Sequence, residues 1–268
     1  MKYQDQKDYY LKVKENDILE RVRVLLDQYG YYLRDEDDKV FADLHLTWDY
    51  PWHHIKRLDE IDCHIWHRVM FDAIGGFVPS GCQDCFKVVV KPKTLEQLFA
   101  LLDLQIKLDI PSKCGIEERK SVFGNYSGYF YNRGLDNGLE CYKKIKEAIS
   151  NDSILNVLLE EKDENGIPLN LLLKRGCTEF EHALGRSDKW IVTDEQKKIE
   201  KLINDTFVNS YKSRTQPKHV LDHVHKKWIE FAWDRGDKTV FKYTDGHHIY
   251  PPYVIYHYLV ENVKKESV

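Results

Sequence analysis

The segment Gly75-Gly76-Phe77-Val78-Pro79-Ser80-Gly81-Cys82-Gln83-Asp84-Cys85 runs directly into Phe86-Lys87-Val88-Val89-Val90-Lys91. The glycines and Pro79 predict a shaped turn. The β-branched run after Cys85 predicts a short strand, and Pro92 ends it. A turn that delivers two cysteines to the start of a strand places them at an element end. There they can hold one metal ion or cluster, or cycle as a dithiol. A redox pair is favoured by a helix N-terminus, whose dipole lowers a thiol pKa. The strand predicted here shifts the reading toward a metal centre.

On the N-terminal side, Ile18, Val22, Leu25 and Leu26 recur at helical spacing, which predicts a helix from Asn16 to Gln28. Val40, Ala42, Leu44 and Leu46 alternate as in a half-buried strand. Trp48 to His54 reads as an aromatic loop interrupted by Pro51, and about Ile55 to Ile74 as a helix. On the C-terminal side, Thr94 and Gln97 offer a capping box to a helix ending near Leu108. Pro111-Ser112-Lys113-Cys114-Gly115 looks like a second turn with a cysteine.

Gly124 to Gly134 combines glycine, asparagine and aromatics, and predicts a shaped aromatic loop. It lacks the lysine and Ser/Thr ending of a phosphate loop and the glycine order of a dinucleotide fold. Helices are predicted over Leu135–Ile149, Ile154–Glu161, Asp194–Ser210 and from Pro217 through Trp233. Leu169 to Leu173 fits a buried strand or a short helix, and Gly176-Cys177 follows it. Asp245-Gly246 predicts a hairpin between Thr239–Thr244 and His247–Tyr250. Many helices with few, separated strands give an α+β class: a mostly helical mixed fold with a few short strands. Residues 1–268 read as one cysteine-centred protein, with a candidate subdomain boundary at 160–166.

The chain of 268 residues is 42 % hydrophobic and 31 % charged, as in a globular protein. The 40 basic and 44 acidic residues leave a formal charge of −4, which gives no global attraction to nucleic acid but leaves room for a local basic patch. No run of about 18 apolar residues predicts a membrane span. The start Met1-Lys2-Tyr3-Gln4-Asp5 has no secretory apolar segment, so the expected location is the cytoplasm. Six cysteines in that compartment are expected as thiols or ligands, not structural disulfides.

Cys82, Cys85, Cys114 and Cys177 all fall at expected loops or element ends. Four thiolates there would suit a 4Fe–4S cluster, with zinc as the alternative. Lys87, Lys113, Arg119 and Lys174 would offset the negative charge. If three cysteines hold the cluster, Cys177 becomes a substrate-facing thiol. Arg119 and Arg133 are candidate clamps for an anion, and Glu117 a candidate proton-transfer group. Glu179 and His182 follow Cys177 closely enough to orient it or relay a proton. The pair His219 and His223 reads first as helix-surface histidines.

The leading expectation is an iron–sulfur-dependent enzyme acting on a small anionic or aromatic substrate. A zinc-stabilised interaction or nucleic-acid-associated protein is the first alternative. The second is a thiol oxidoreductase centred on Cys82 and Cys85.

Overall fold

The computed structural model describes residues 15–28, 31–34, 39–42, 51–58, 63–74, 77–120, 122–207, 215–247 and 249. The fold is α+β and predominantly helical, as the periodicities predict, with a five-stranded antiparallel sheet at its centre. The elements run α1 (Glu15–Gln28), β1 (Tyr31–Arg34), β2 (Lys39–Ala42), β3 (Trp52–Lys56), α2 (Cys63–Ile74), a single turn α3 (Ser80–Gln83) and β4 (Cys85–Val90). Then follow α4 (Leu95–Leu108), β5 (Ser112–Ile116), β6 (Tyr126–Arg133), α5 (Leu135–Ser150), β7 (Leu171–Arg175), α6 (Thr178–Leu184), α7 (Asp194–Thr206) and α8 (Lys218–Asp234). β1 and β2 pair as a separate two-stranded antiparallel sheet, and the main sheet has the order β3-β5-β6-β4-β7.

Side chains alternate between the two faces of a strand, and directly paired residues share a face. Val88 pairs with Phe130 and Leu173, while Val90 pairs with Gly128 and Leu171. Across β6, Gly128 pairs with Cys114 and Tyr126 with Ile116. This face packs on α4, α5 and α8 in one core with Leu98, Leu101, Ile145, Ile149, Val224 and Trp228. Lys87, Val89, Tyr129, Tyr131, Lys113, Leu172 and Lys174 lie on the opposite face. A second apolar cluster joins Ile18, Val22 and Leu26 of α1 to Val69, Met70, Ala73 and Ile74 of α2 and Ile203 of α7. It buries the stripe that predicted α1.

The cap of α4 follows the sequence signal, and α7 has an equivalent cap. Thr94 accepts from the Gln97 backbone N–H, while Gln97 Oε1 reaches back to the Lys93 N–H. Thr193 accepts from the Gln196 N–H in the same way.

Four segments depart from expectation. Residues 52–56 are not loop or helix but the edge strand β3, which begins immediately after Pro51. Gln216 mimics a neighbouring strand along this edge, donating to Trp52 O at 2.8 Å and accepting from the His54 N–H at 2.8 Å. Cys114 lies within strand β5, not at a turn. The Gly124–Gly134 segment contains β6, an eight-residue central strand. Gly128 serves packing there: a Cβ would stand 2.4 Å from Leu101 Cδ2. The expected hairpin at Asp245-Gly246 is instead a 3-10 helix, Lys238–Tyr243, followed by a turn. Residues 43–50, the side chains of Cys63 and His64, and residues 251–268 lie outside the described residues. The stretch 160–166 leads into β7, which pairs with β4 in the main sheet.

Candidate functional site

The turn before β4 is fixed from several directions. Val78 O accepts from Gln83 Nε2 at 2.9 Å and from Gln196 Nε2 of α7 at 2.8 Å. Glu200 Oε1 accepts from the Ser80 N–H at 2.8 Å, and its other oxygen accepts from the Ser80 hydroxyl. Arg175 donates to Gln83 O at 2.6 Å, and Arg133 donates to Gly81 O. These bonds satisfy the backbone of a turn too short to satisfy itself. They also hold Cys82 in place.

Gly176 brings the other half of the site to this turn. Its φ of +63° lies in the region that glycine favours, and its N–H donates to Cys85 O at 2.8 Å. A Cβ would meet Trp190 Cζ3 at 2.4 Å. The chain therefore leaves β7 hard against the cysteine turn, with Cys177 the residue before α6. Cys82 and Cys177 share an apolar pocket with Val78, Phe180 and Trp190.

Lys87 reaches into this place from the middle of β4. Its Nζ donates to Cys177 Sγ at 3.3 Å and lies 5.7 Å from the centre of the Tyr129 ring. The Cys177 pKa is held well below the ordinary thiol value. The Cys82 thiol donates to it and the Lys87 charge adds to the effect, together outweighing burial and the nearby Glu179. For Lys87, burial favours the neutral amine, but Cys177, Cys85 and Tyr129 overcome it and raise the pKa. Lys174, paired with Lys87 across the strands and bonded to Glu181, is shifted down by burial and by the Lys87 charge. The arrangement is a thiolate–ammonium pair with a second thiol beside the sulfur.

A carboxylate–guanidinium network adjoins it. Glu117 accepts from Arg119 Nε at 2.7 Å and Nη2 at 2.6 Å, and from the Tyr129 hydroxyl at 2.8 Å. Arg119 Nη1 donates to Glu179 Oε1 at 2.8 Å. Burial raises the pKa of both carboxyls. For Glu117 the Arg119 and Tyr129 bonds outweigh it, and for Glu179 a backbone bond and Arg119 do, so both stay below the usual carboxylate range. Burial, with the Glu117 charge, pushes Tyr129 up to about 12 against the Arg119 charge. Glu179 Oε2 is buried and accepts no hydrogen bond.

The structure thus brings together Cys82, Cys177, Glu117, Arg119 and Glu179. Cys85 opens β4 on the Lys87 side, close enough for its charge to act on Lys87. Arg133 holds the cysteine turn, and His182 lies exposed on α6. His219 and His223 are exposed on α8.

The four-cysteine centre is not formed, which corrects the expectation of a 4Fe–4S or zinc site and of a metal-binding cysteine cluster. Among the described residues, no group of three or more His, Cys, Asp or Glu side chains is placed to hold a metal ion. The physical reason is the parity of β5. Cys114 pairs with Gly128 on the apolar face, fully buried among core side chains, and cannot join Cys82 and Cys177. Burial raises its pKa, as expected of an inert core thiol. No disulfide joins the described cysteines.

In the sequence Lys87 reads only as a nearby charge, and Tyr129 does not stand out. Strand parity carried the signal for both: Lys87 interrupts an apolar run at the position facing away from Phe86 and Val88. No local pattern pointed to the pairing of Cys82 with Cys177. No protein-family model, curated protein or solved structure matches the chain. None of the described helices is long and apolar enough to cross a membrane.

Proposed function

We propose that the protein is a thiol oxidoreductase in which Cys177 is the attacking thiolate and Cys82 the second thiol. The observation that carries this reading is the Lys87 ammonium 3.3 Å from Cys177 Sγ, with the Cys82 thiol bonded to the same sulfur. Cys177 attacks a substrate disulfide, forming a mixed disulfide and releasing one thiolate. Cys82 then attacks Cys177 Sγ and releases the second, its proton passing to the departing sulfur. Two protein thiols are oxidised and one disulfide is reduced to two thiols.

The partner of Cys82 in this scheme is Cys177, not Cys85. Lys87 keeps the nucleophile charged, and Arg119 keeps Glu179 oriented beside it. A small anionic or aromatic substrate suits the same sheet face, where Lys113 lies 4.5 Å from the Trp52 ring and Tyr131 stacks beside Tyr129. A reducing compartment such as the cytoplasm would return the pair to dithiol after each cycle.

Titration with oxidised and reduced glutathione, followed by peptide mapping, tests the assignment. A Cys82–Cys177 linked peptide that forms and reverses supports it, and Cys177→Ser should abolish that link. A Cys82–Cys85 link, or both thiols remaining reduced under oxidising ratios, would overturn it.

A further inference from the structure

Three groups meet at Cys177, and the carboxylate among them has no step in thiol–disulfide exchange. The first is the Lys87 ammonium, a proton donor within bonding distance of the sulfur. The second is Glu179 Oε2, a buried oxygen with no donor, on a carboxylate close enough for its charge to act on both Cys177 and Lys87. The third is the Cys82 thiol at the sulfur itself. Cys177 is partly exposed, while Cys82 is 6 % exposed in the apolar pocket of Val78, Phe180 and Trp190. The sulfur that an oxidant meets first is therefore that of Cys177.

Resting on the thiol-redox reading above, we propose that the oxidising substrate is a hydroperoxide. Cys177 attacks the outer oxygen of ROOH, and the O–O bond breaks. Glu179 Oε2 accepts a hydrogen bond from the peroxide O–H, aligning it for attack. Lys87 donates a proton to the departing RO−, which leaves as ROH. Cys177 becomes a sulfenic acid. Cys82 attacks its sulfur, expelling hydroxide, which takes up the Cys82 proton and leaves as water. The S–S bond now joins Cys82 and Cys177. The cycle oxidises two thiols, reduces ROOH to ROH and water, and needs a dithiol reductant to restart. Both residues keep the general acid and acceptor roles that their positions allow.

The experiment follows the oxidation of full-length protein by hydrogen peroxide, with oxidised glutathione in parallel. The wild-type chain should form the Cys82–Cys177 disulfide at least about a hundredfold faster than free cysteine reacts, the scale of general-acid assistance. Cys82→Ser should stop at a Cys177 sulfenic acid that dimedone traps. Glu179→Gln separates a peroxide contact from a structural role. It removes a charge that disfavours the thiolate, so iodoacetamide should react with Cys177 at least as fast as in wild type, while peroxide reacts about tenfold slower. Peroxide oxidation no faster than that of free cysteine, while oxidised glutathione still closes the disulfide, would overturn the hydroperoxide assignment and leave the redox pair standing. A Glu179→Gln variant with an unchanged peroxide rate would overturn the role of the carboxylate. If neither oxidant links Cys82 to Cys177, the redox reading itself fails.

Discussion

The two faces of the five-stranded sheet hold cysteines in opposite chemical states. Cys114 faces α4, α5 and α8, fully buried among apolar side chains, and burial shifts its thiol up. Cys177 stands at the end of β7 beside Lys87, and its thiol is shifted down. What differs is whether a hydrogen-bond donor and a cation reach the sulfur. β4 shows the division within six residues: Val88 and Val90 belong to the core, while Lys87 belongs to the site. The apolar face supplies stability through area removed from water, and the other face spends buried charges on orientation.

Substitutions should therefore act differently on the two faces. The largest loss of stability is expected from Phe130→Ala on the core face, where the side chain is fully buried. About 3–5 kcal/mol should disappear in urea unfolding, with Cys177 reactivity unchanged in the folded population. Next comes Arg119→Met, which strands the buried Glu117 carboxylate. The guanidinium is 36 % exposed, so solvent screening limits the loss to about 2–3 kcal/mol, measured by the same unfolding.

Lys87→Met should cost less, about 1–2 kcal/mol near pH 9, because the partner thiolate can protonate instead of remaining a buried bare charge. The sign with pH follows from the two shifts. The lowered Cys177 pKa stabilises fully above its unfolded value of about 8.5, and that contribution fades as pH falls through the folded value. The raised Lys87 pKa stabilises fully below its unfolded value of about 10.4, and is lost as pH rises through the folded one. The cost of Lys87→Met should accordingly peak between about pH 8.5 and 10.4 and shrink toward acid pH. A cost that does not vary with pH would break the proposed link between the two residues. The smallest effect, within about 0.5 kcal/mol, is expected from Lys201→Ala, which removes an exposed ion pair to Asp205 outside either face.

Much of the fold was legible where one period dominated. The stripe Ile18, Val22 and Leu26 gave α1, and the β-branched run after Cys85 gave β4. β6 was hidden because Tyr126 and Phe130 on one face and Tyr129 and Tyr131 on the other leave no polar alternation. Gly128 also looked like a bend, although it makes room for Leu101. The site was legible only in pieces. Cys82, Cys177, Glu117, Arg119 and Glu179 were each singled out, but their grouping depends on sheet order. The pairing of β4 with both β6 and β7 brings distant segments together, and no spacing along the chain encodes it. The same parity sends Cys114 to the core, which is why four suitable cysteines do not make one centre.

The most direct test of the central claim is the rate at which iodoacetamide alkylates Cys177 as a function of pH, read by peptide mass spectrometry. A sulfur held as thiolate by Cys82 and Lys87 should keep its full rate as pH falls through the ordinary thiol value and lose it only well below, and Lys87→Met should move the fall-off upward. A wild-type rate that instead climbs with a midpoint near the ordinary thiol value of about 8.5 would contradict it.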